Sequence, residues 1–100
     1  MEKQSKEIKL EIQIDDDVAC GQYVNMAVVN HNDSEFVLDC IYVQPQVPRA
    51  KVLSRLITSP RHAKRLLRAL QNNLDRFEKK YGVIELGDDH PGVDQEIPVH

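Results

Sequence analysis

Tryptophan is missing from this chain, and three Tyr and two Phe supply all its benzenoid rings. Its core must therefore rest on Val, Ile and Leu. The two cysteines, Cys20 and Cys40, are too few for a disulfide scaffold, and the four glycines form no phosphate-cradling loop. No apolar run approaches the roughly 20 residues of a membrane helix. The N-terminus carries no apolar secretory core, so the cytoplasm is the expected location, with both thiols reduced and buried. At 100 residues the chain is one domain. A domain of this size buries roughly 60–70% of its unfolded surface, enough for one core layer. That excludes a bilobed enzyme with a deep cleft and favours a binding module or an oligomer subunit.

Charge is unevenly distributed within a net −3. Residues 1–48 carry three basic and nine acidic side chains, net −6; residues 49–80 carry ten basic and two acidic, net +8; residues 81–100 carry five acidic and no basic, net −5. A basic block between two acidic ones points to an anionic partner or to pairing between segments or copies of the chain.

Past a polar start at Met1–Ser5, Ile8, Leu10, Ile12 and Ile14 alternate with Glu7, Lys9, Glu11 and Gln13. That period predicts a first strand with one wet face, ended by a turn at Asp15, Asp16 and Asp17. A second strand is expected from about Gln22 to Asn30, central in the sheet because neither face is strongly polar. The His31-Asn32-Asp33-Ser34 turn leads into a third strand, Glu35 to Gln44, forming a hairpin. A loop with Pro45 and Pro48 follows. A fourth strand then alternates Ala50, Val52, Ser54 and Leu56 with Lys51, Leu53, Arg55 and Ile57, placing Lys51 and Arg55 on one face.

The helix signal is the clearest. Ser59 suits an N-cap and Pro60 the first helical position. Ala63, Leu66, Leu67, Leu70, Leu74, Phe77 and Tyr81 follow helical spacing as one narrow stripe, and Gly82 suits a stop. The expected fold is thus α+β: a four-stranded antiparallel sheet in β-β-β-β-α order, with one long amphipathic helix packed on one face. One helix covers one face only. The other is expected to be covered by a second subunit, giving a dimer or tetramer through the sheet, or by Val83, Ile84 and Leu86 as a short added strand. Residues 6–86 form the domain and 87–100 an acidic flexible tail.

Two groups of residues are candidates for function. Arg61, Lys64, Arg65, Arg68, Arg76 and Lys79 lie opposite the leucine stripe, with Asp75 spaced to pair with Lys79. Crowding cations into the first half of a helix opposes its dipole, and helix stability does not explain it. With Arg49, Lys51 and Arg55, the residues Arg61, Lys64, Arg65 and Arg68 make a candidate anion or nucleic-acid surface. The second group is Asn25, Asp39 and His62. An amide and a carboxylate within apolar strands need partners, which makes these three a candidate buried polar network or subunit seam, with Arg55, Lys51 or His62 available to Asp39. The four histidines, His31, His62, His90 and His100, show no metal-ligand spacing. The acidic triplet lacks the distributed ligands of a calcium loop. No base and oxyanion element accompany either cysteine, so no catalytic residue, metal or cofactor is expected.

Three words of the sequence resemble a prokaryotic family, domain of unknown function 3467: Gly21-Gln22-Tyr23-Val24-Asn25-Met26-Ala27, Ser34-Glu35-Phe36-Val37-Leu38-Asp39, and Ser59-Pro60-Arg61-His62-Ala63-Lys64-Arg65-Leu66-Leu67. The stretch from Pro48 to Ser54 fits as well, so the resemblance covers most of residues 7–84. It implies no established activity. The expected element order also resembles, at the level of fold, the secretion chaperone SecB, a tetramer that holds unfolded clients on apolar grooves. That likeness implies an oligomeric, chaperone-like or adaptor protein without catalysis. A nucleic-acid-associated protein using residues 49–80 is the alternative.

Overall fold

The computed structural model describes residues 8–87. They form a short helix α1 (Asp16–Ala19), three strands β1 (Met26–His31), β2 (Phe36–Gln44) and β3 (Arg49–Thr58), and a long helix α2 (Pro60–Tyr81). The sheet is antiparallel in the order β1-β2-β3. The fold is α+β as expected, but with three strands. Residues 8–14 pair with no strand among the described residues, and their alternating apolar side chains are exposed, Ile12 by 85%. Alternation states a preference for a sheet edge; it does not supply the edge. The Val83–Leu86 segment forms no strand either. Beyond Gly87, the expected acidic tail lies outside the described residues, as do Met1–Ser5, His90 and His100.

Within the acidic triplet, Asp16 and Asp17 open a short helix and Asp15 precedes it, where the sequence predicts a turn. Asp15 has extended backbone, its carbonyl accepts from the N–H groups of Val18 and Ala19, and Gly21 follows with φ +78°. Aspartates at a helix N-terminus sit where the backbone dipole favours negative charge, so one helical turn suits them as well as a bend. The second expected strand starts four residues late, at Met26, and lies at an edge; β2 is central because it bonds on both sides.

The β1–β2 connection is tied by Asn32. Its Oδ1 accepts from the Ser34 N–H (2.7 Å) and the Glu35 N–H (2.9 Å), while its own N–H donates to the Glu35 carbonyl (3.0 Å). This Asx geometry closes the hairpin, and His31 stacks on Phe36 directly across it, ring centroids 5.1 Å apart.

Between β2 and β3 the register slips. Cys40 opposes Ser54, but Ile41 opposes Val52, leaving Leu53 as an extra residue in a bulge. The slip changes the parity of β3. Arg55 stands opposite Asp39, yet Lys51 stands opposite Tyr42, on the other face. The unbroken alternation read from the sequence had put these two cations together; one inserted residue separates them.

The core is small. Val28 and Ile41 are its fully buried apolar side chains, on the face that also carries Met26, Val37, Asp39, Val43, Val52 and Arg55. The opposite face carries Ala27, Val29, Phe36, Leu38, Cys40, Tyr42 and Leu56, all partly or largely exposed.

Helix α2 begins and ends as its sequence dictates. Ser59 Oγ accepts from the His62 N–H (3.1 Å), and Pro60 occupies the first turn. Gly82, at φ +106° and ψ 167°, stops the helix in a conformation open essentially to glycine alone. The expected packing of α2 on the sheet is absent. Its apolar stripe stays uncovered, with Leu67 exposed by 61% and Leu70 by 56%, and the closest packing between elements is that of β2 with its two neighbours. Ser59 alone separates β3 from α2, so the helix leaves directly from the strand end.

Candidate functional site

Asn25 sits one residue before β1 and extends its ladder with a side chain. The Asn25 Nδ2 donates to the Val43 carbonyl (3.1 Å), and Oδ1 accepts from the Val43 N–H (2.8 Å). The backbone N–H of Asn25 donates to the Ile41 carbonyl (3.0 Å). A side-chain amide has the donor and acceptor of a peptide group, so Asn25 stands in for a backbone pair where the preceding chain has left β2. Two further contacts hold that departing chain. Tyr23 packs edge-to-face on Tyr42 (6.4 Å between centroids), and Ser54 Oγ lies 3.0 Å from Gln22 Oε1.

Asp39 is fully buried and is held by a forked pair: Arg55 Nε to Oδ1 at 2.7 Å and Nη2 to Oδ2 at 3.0 Å. Cross-strand placement on β2 and β3 makes the fork possible. Half of the Arg55 side chain remains in water, so the guanidinium spans from a dry carboxylate to solvent. The hydrogen bonds from Arg55 hold the Asp39 carboxyl below its ordinary value, against the opposing pull of burial, and the positive charge adds to them. In return the hydrogen bonds that Arg55 donates to Asp39, reinforced by the carboxylate charge, raise the Arg55 value. Paired in this way, Asp39 is a structural anion and Arg55 is withdrawn from any free cationic surface.

The expected polar triad is therefore not formed as a unit. Asp39 takes Arg55 and neither Lys51 nor His62; Asn25 is exposed and bonded to backbone; His62 is exposed in the first turn of α2. Chain topology is the reason. His62 belongs to a helix that does not lie on the sheet, and the bulge turns Lys51 to the other side.

The seven candidate cations divide in the same manner. Arg61, Lys64, Arg65 and Arg68 line one shallow hollow with Pro60, and none makes an ion pair with a described residue. Arg49 and Lys51 lie at the opposite end of β3, about 20–30 Å from its junction with α2 at ~3.3 Å per residue. Asp75 bonds Gln71 (2.9 Å) and not Lys79. The helix surface thus carries a basic hollow on one side and an apolar stripe on the other. Beyond the stop, Ile84 returns toward the helix: its N–H donates to Glu78 Oε2 (3.0 Å), and it lines a second hollow with Leu70, Leu74, Phe77 and Tyr81.

Both cysteines are free, but Cys20 is exposed at the end of α1 and Cys40 half-buried in β2, so burial was wrongly expected for the first. Among the described residues no three His, Cys, Asp or Glu side chains converge as a metal site would require, and no helix is long and apolar enough to cross a membrane.

These features define an α+β domain in which a three-stranded antiparallel sheet is followed by an amphipathic helix that is basic on its outer side. The chain belongs to the family described as protein of unknown function DUF3467, whose model matches residues 1–86. No curated protein and no solved structure matches it. The likeness to SecB therefore finds no support, and the four-strand order on which it rested is reduced to three.

Proposed function

We propose that this protein is a non-catalytic interaction module that works as a homo-oligomer, in the manner of an adaptor or a chaperone-like protein. The observation that carries this reading is the uncovered apolar stripe of α2, where Leu67 and Leu70 remain more than half exposed in a helix with strong amphipathic order. A stripe of this kind is made to be buried. The exposed alternation at residues 8–14 supports the same reading: on assembly it would join an open sheet edge as the fourth strand. The cytoplasm, where free thiols such as Cys20 and Cys40 persist, is the compartment we assign.

Solution mass by size-exclusion chromatography with light scattering tests this. The expected result is a dimer or larger. Leu67→Ala with Leu70→Ala should shift it toward monomer while keeping helicity, because alanine favours helix. Burying the exposed part of each leucine is worth about 1–1.5 kcal/mol, so losing two leucines in each of two copies should weaken the dissociation constant by about a thousandfold to ten-thousandfold. A monomeric wild-type protein at micromolar concentration sinks the reading.

The basic hollow supports a second reading, binding of a nucleic acid or other polyanion through Arg61, Lys64, Arg65 and Arg68, four cations with no carboxylate partner among the described residues. Arg65→Glu with Arg68→Glu should abolish retention on a polyanion column with the fold intact. Wild-type affinity should fall steeply with salt. Salt-insensitive or unchanged binding removes this alternative.

A further inference from the structure

We propose that the stripe of α2 docks on the half-exposed sheet face of a second copy of this chain, reciprocally, so that each helix covers the other copy's sheet. This rests on the self-associating reading above and specifies the surfaces that meet. The receiving face is that of Val29, Phe36, Leu38, Tyr42 and Leu56.

Dimensions match. Helix α2 has 22 residues, about 33 Å at 1.5 Å per residue. Strand β2 has nine, about 30 Å. Three strands set about 4.8 Å apart span about 10 Å between the outer two, the width of one helix with its side chains. One helix therefore suffices for one such sheet. A twofold pair gives each sheet one helix and closes on itself. The footprint, about 33 by 10 Å on each of four surfaces, totals about 1,300 Å², the size of a stable specific interface.

Coverage separates this arrangement from pairing of the two helices. Helix on helix would bury the two stripes and leave the sheet face of Val29, Tyr42 and Leu56 open in both copies. The basic hollow lies opposite the stripe and stays on the outside of the pair.

Single-cysteine chains test the assignment. In a background of Cys20→Ser and Cys40→Ser, one chain carries Leu56→Cys on the sheet face and another carries Leu70→Cys on the stripe. The two are mixed, allowed to exchange and treated with a short bis-maleimide. The expected main product is the mixed dimer joined between positions 56 and 70. A predominance of 70-to-70 product, or of 56-to-56 product, overturns the proposal, as does the absence of any cross-linked dimer. The mass of each chain before cross-linking separates the two levels. Monomers refute self-association itself, whereas dimers lacking the mixed linkage refute only these surfaces. If the variants fail to fold, isotope-filtered nuclear Overhauser measurements on a mixture of labelled and unlabelled wild-type chains decide it. Contacts between copies from Leu67 or Leu70 methyls to Val29, Leu38 or Leu56 methyls support the proposal, and contacts confined to leucine stripes overturn it.

Discussion

Replacing Asn25 probes how the sheet ends. The side chain makes two hydrogen bonds to one peptide partner, the N–H and the carbonyl of Val43. A net hydrogen bond contributes about 0.5–1.5 kcal/mol. Because Asn25 is exposed, water takes over part of both in the variant, and Asn25→Ala should cost about 1–2 kcal/mol in all, toward the lower end of that range for two bonds. For a domain of this size that lowers Tm by about 4–16 °C. Asn25→Asp sharpens the test. The carboxylate still accepts from the Val43 N–H, but it faces the Val43 carbonyl without a proton to offer. The neutral acid restores the donor, so the introduced carboxyl should titrate above the ordinary aspartate value in the folded state. A group raised on folding contributes stability below its unfolded value and loses it as pH rises through the folded one. Asn25→Asp should therefore approach wild-type stability near pH 3–4, the ordinary carboxyl range, and fall away toward pH 7, relative to wild type at each pH. Circular dichroism melts across pH measure the energy, and hydrogen exchange of the Val43 amide reports the bond itself. An Asn25→Ala protein with unchanged Tm and unchanged Val43 protection would refute the argument.

Two further outcomes are expected. Acid should dismantle the Asp39–Arg55 fork: the folded carboxyl value lies below the unfolded one, so its stabilisation is complete above about pH 4 and disappears as pH falls through the depressed folded value. Asp39→Asn should lose this limb of the acid-unfolding profile, and an unchanged profile contradicts the pairing. Gly82→Ala should cost about 1–3 kcal/mol from backbone strain alone, since a Cβ built there meets no atom within 4 Å. It should fray the last turn of α2, visible as lost amide protection near Tyr81.

Local chemistry was legible in the sequence wherever it acts alone. Ser59, Pro60 and Gly82 mark the ends of α2 because capping, a fixed φ and a positive φ each depend on one residue. The hairpin turn was legible for the same reason, through Asn32. The demand of Asp39 for a cation was visible too, and Arg55 was among the partners expected for it. What escaped depends on relations between segments. Residues 8–14 alternate as a strand should, but an edge to accept them is a property of the whole assembly. The stripe of α2 announces burial without saying in which chain. Asn25 signalled an amide in need of partners, yet its bonding to the Val43 backbone requires knowing that the preceding chain departs there. Nothing in the Leu53 neighbourhood marks an extra residue, since Lys51, Val52, Leu53, Ser54 and Arg55 fit an unbroken strand equally well.

That extra residue makes β3 two half-strands out of phase. Tolerance to substitution along it should follow even positions up to Val52 and odd positions from Arg55, with the break at Leu53. Deleting Leu53 should therefore straighten β3 without turning it: Ser54 would still oppose Cys40 and Val52 would still oppose Ile41, with no residue left over between them. The bulge absorbs one residue so that Val52 and Ala50 share the side that holds Val28 and Ile41.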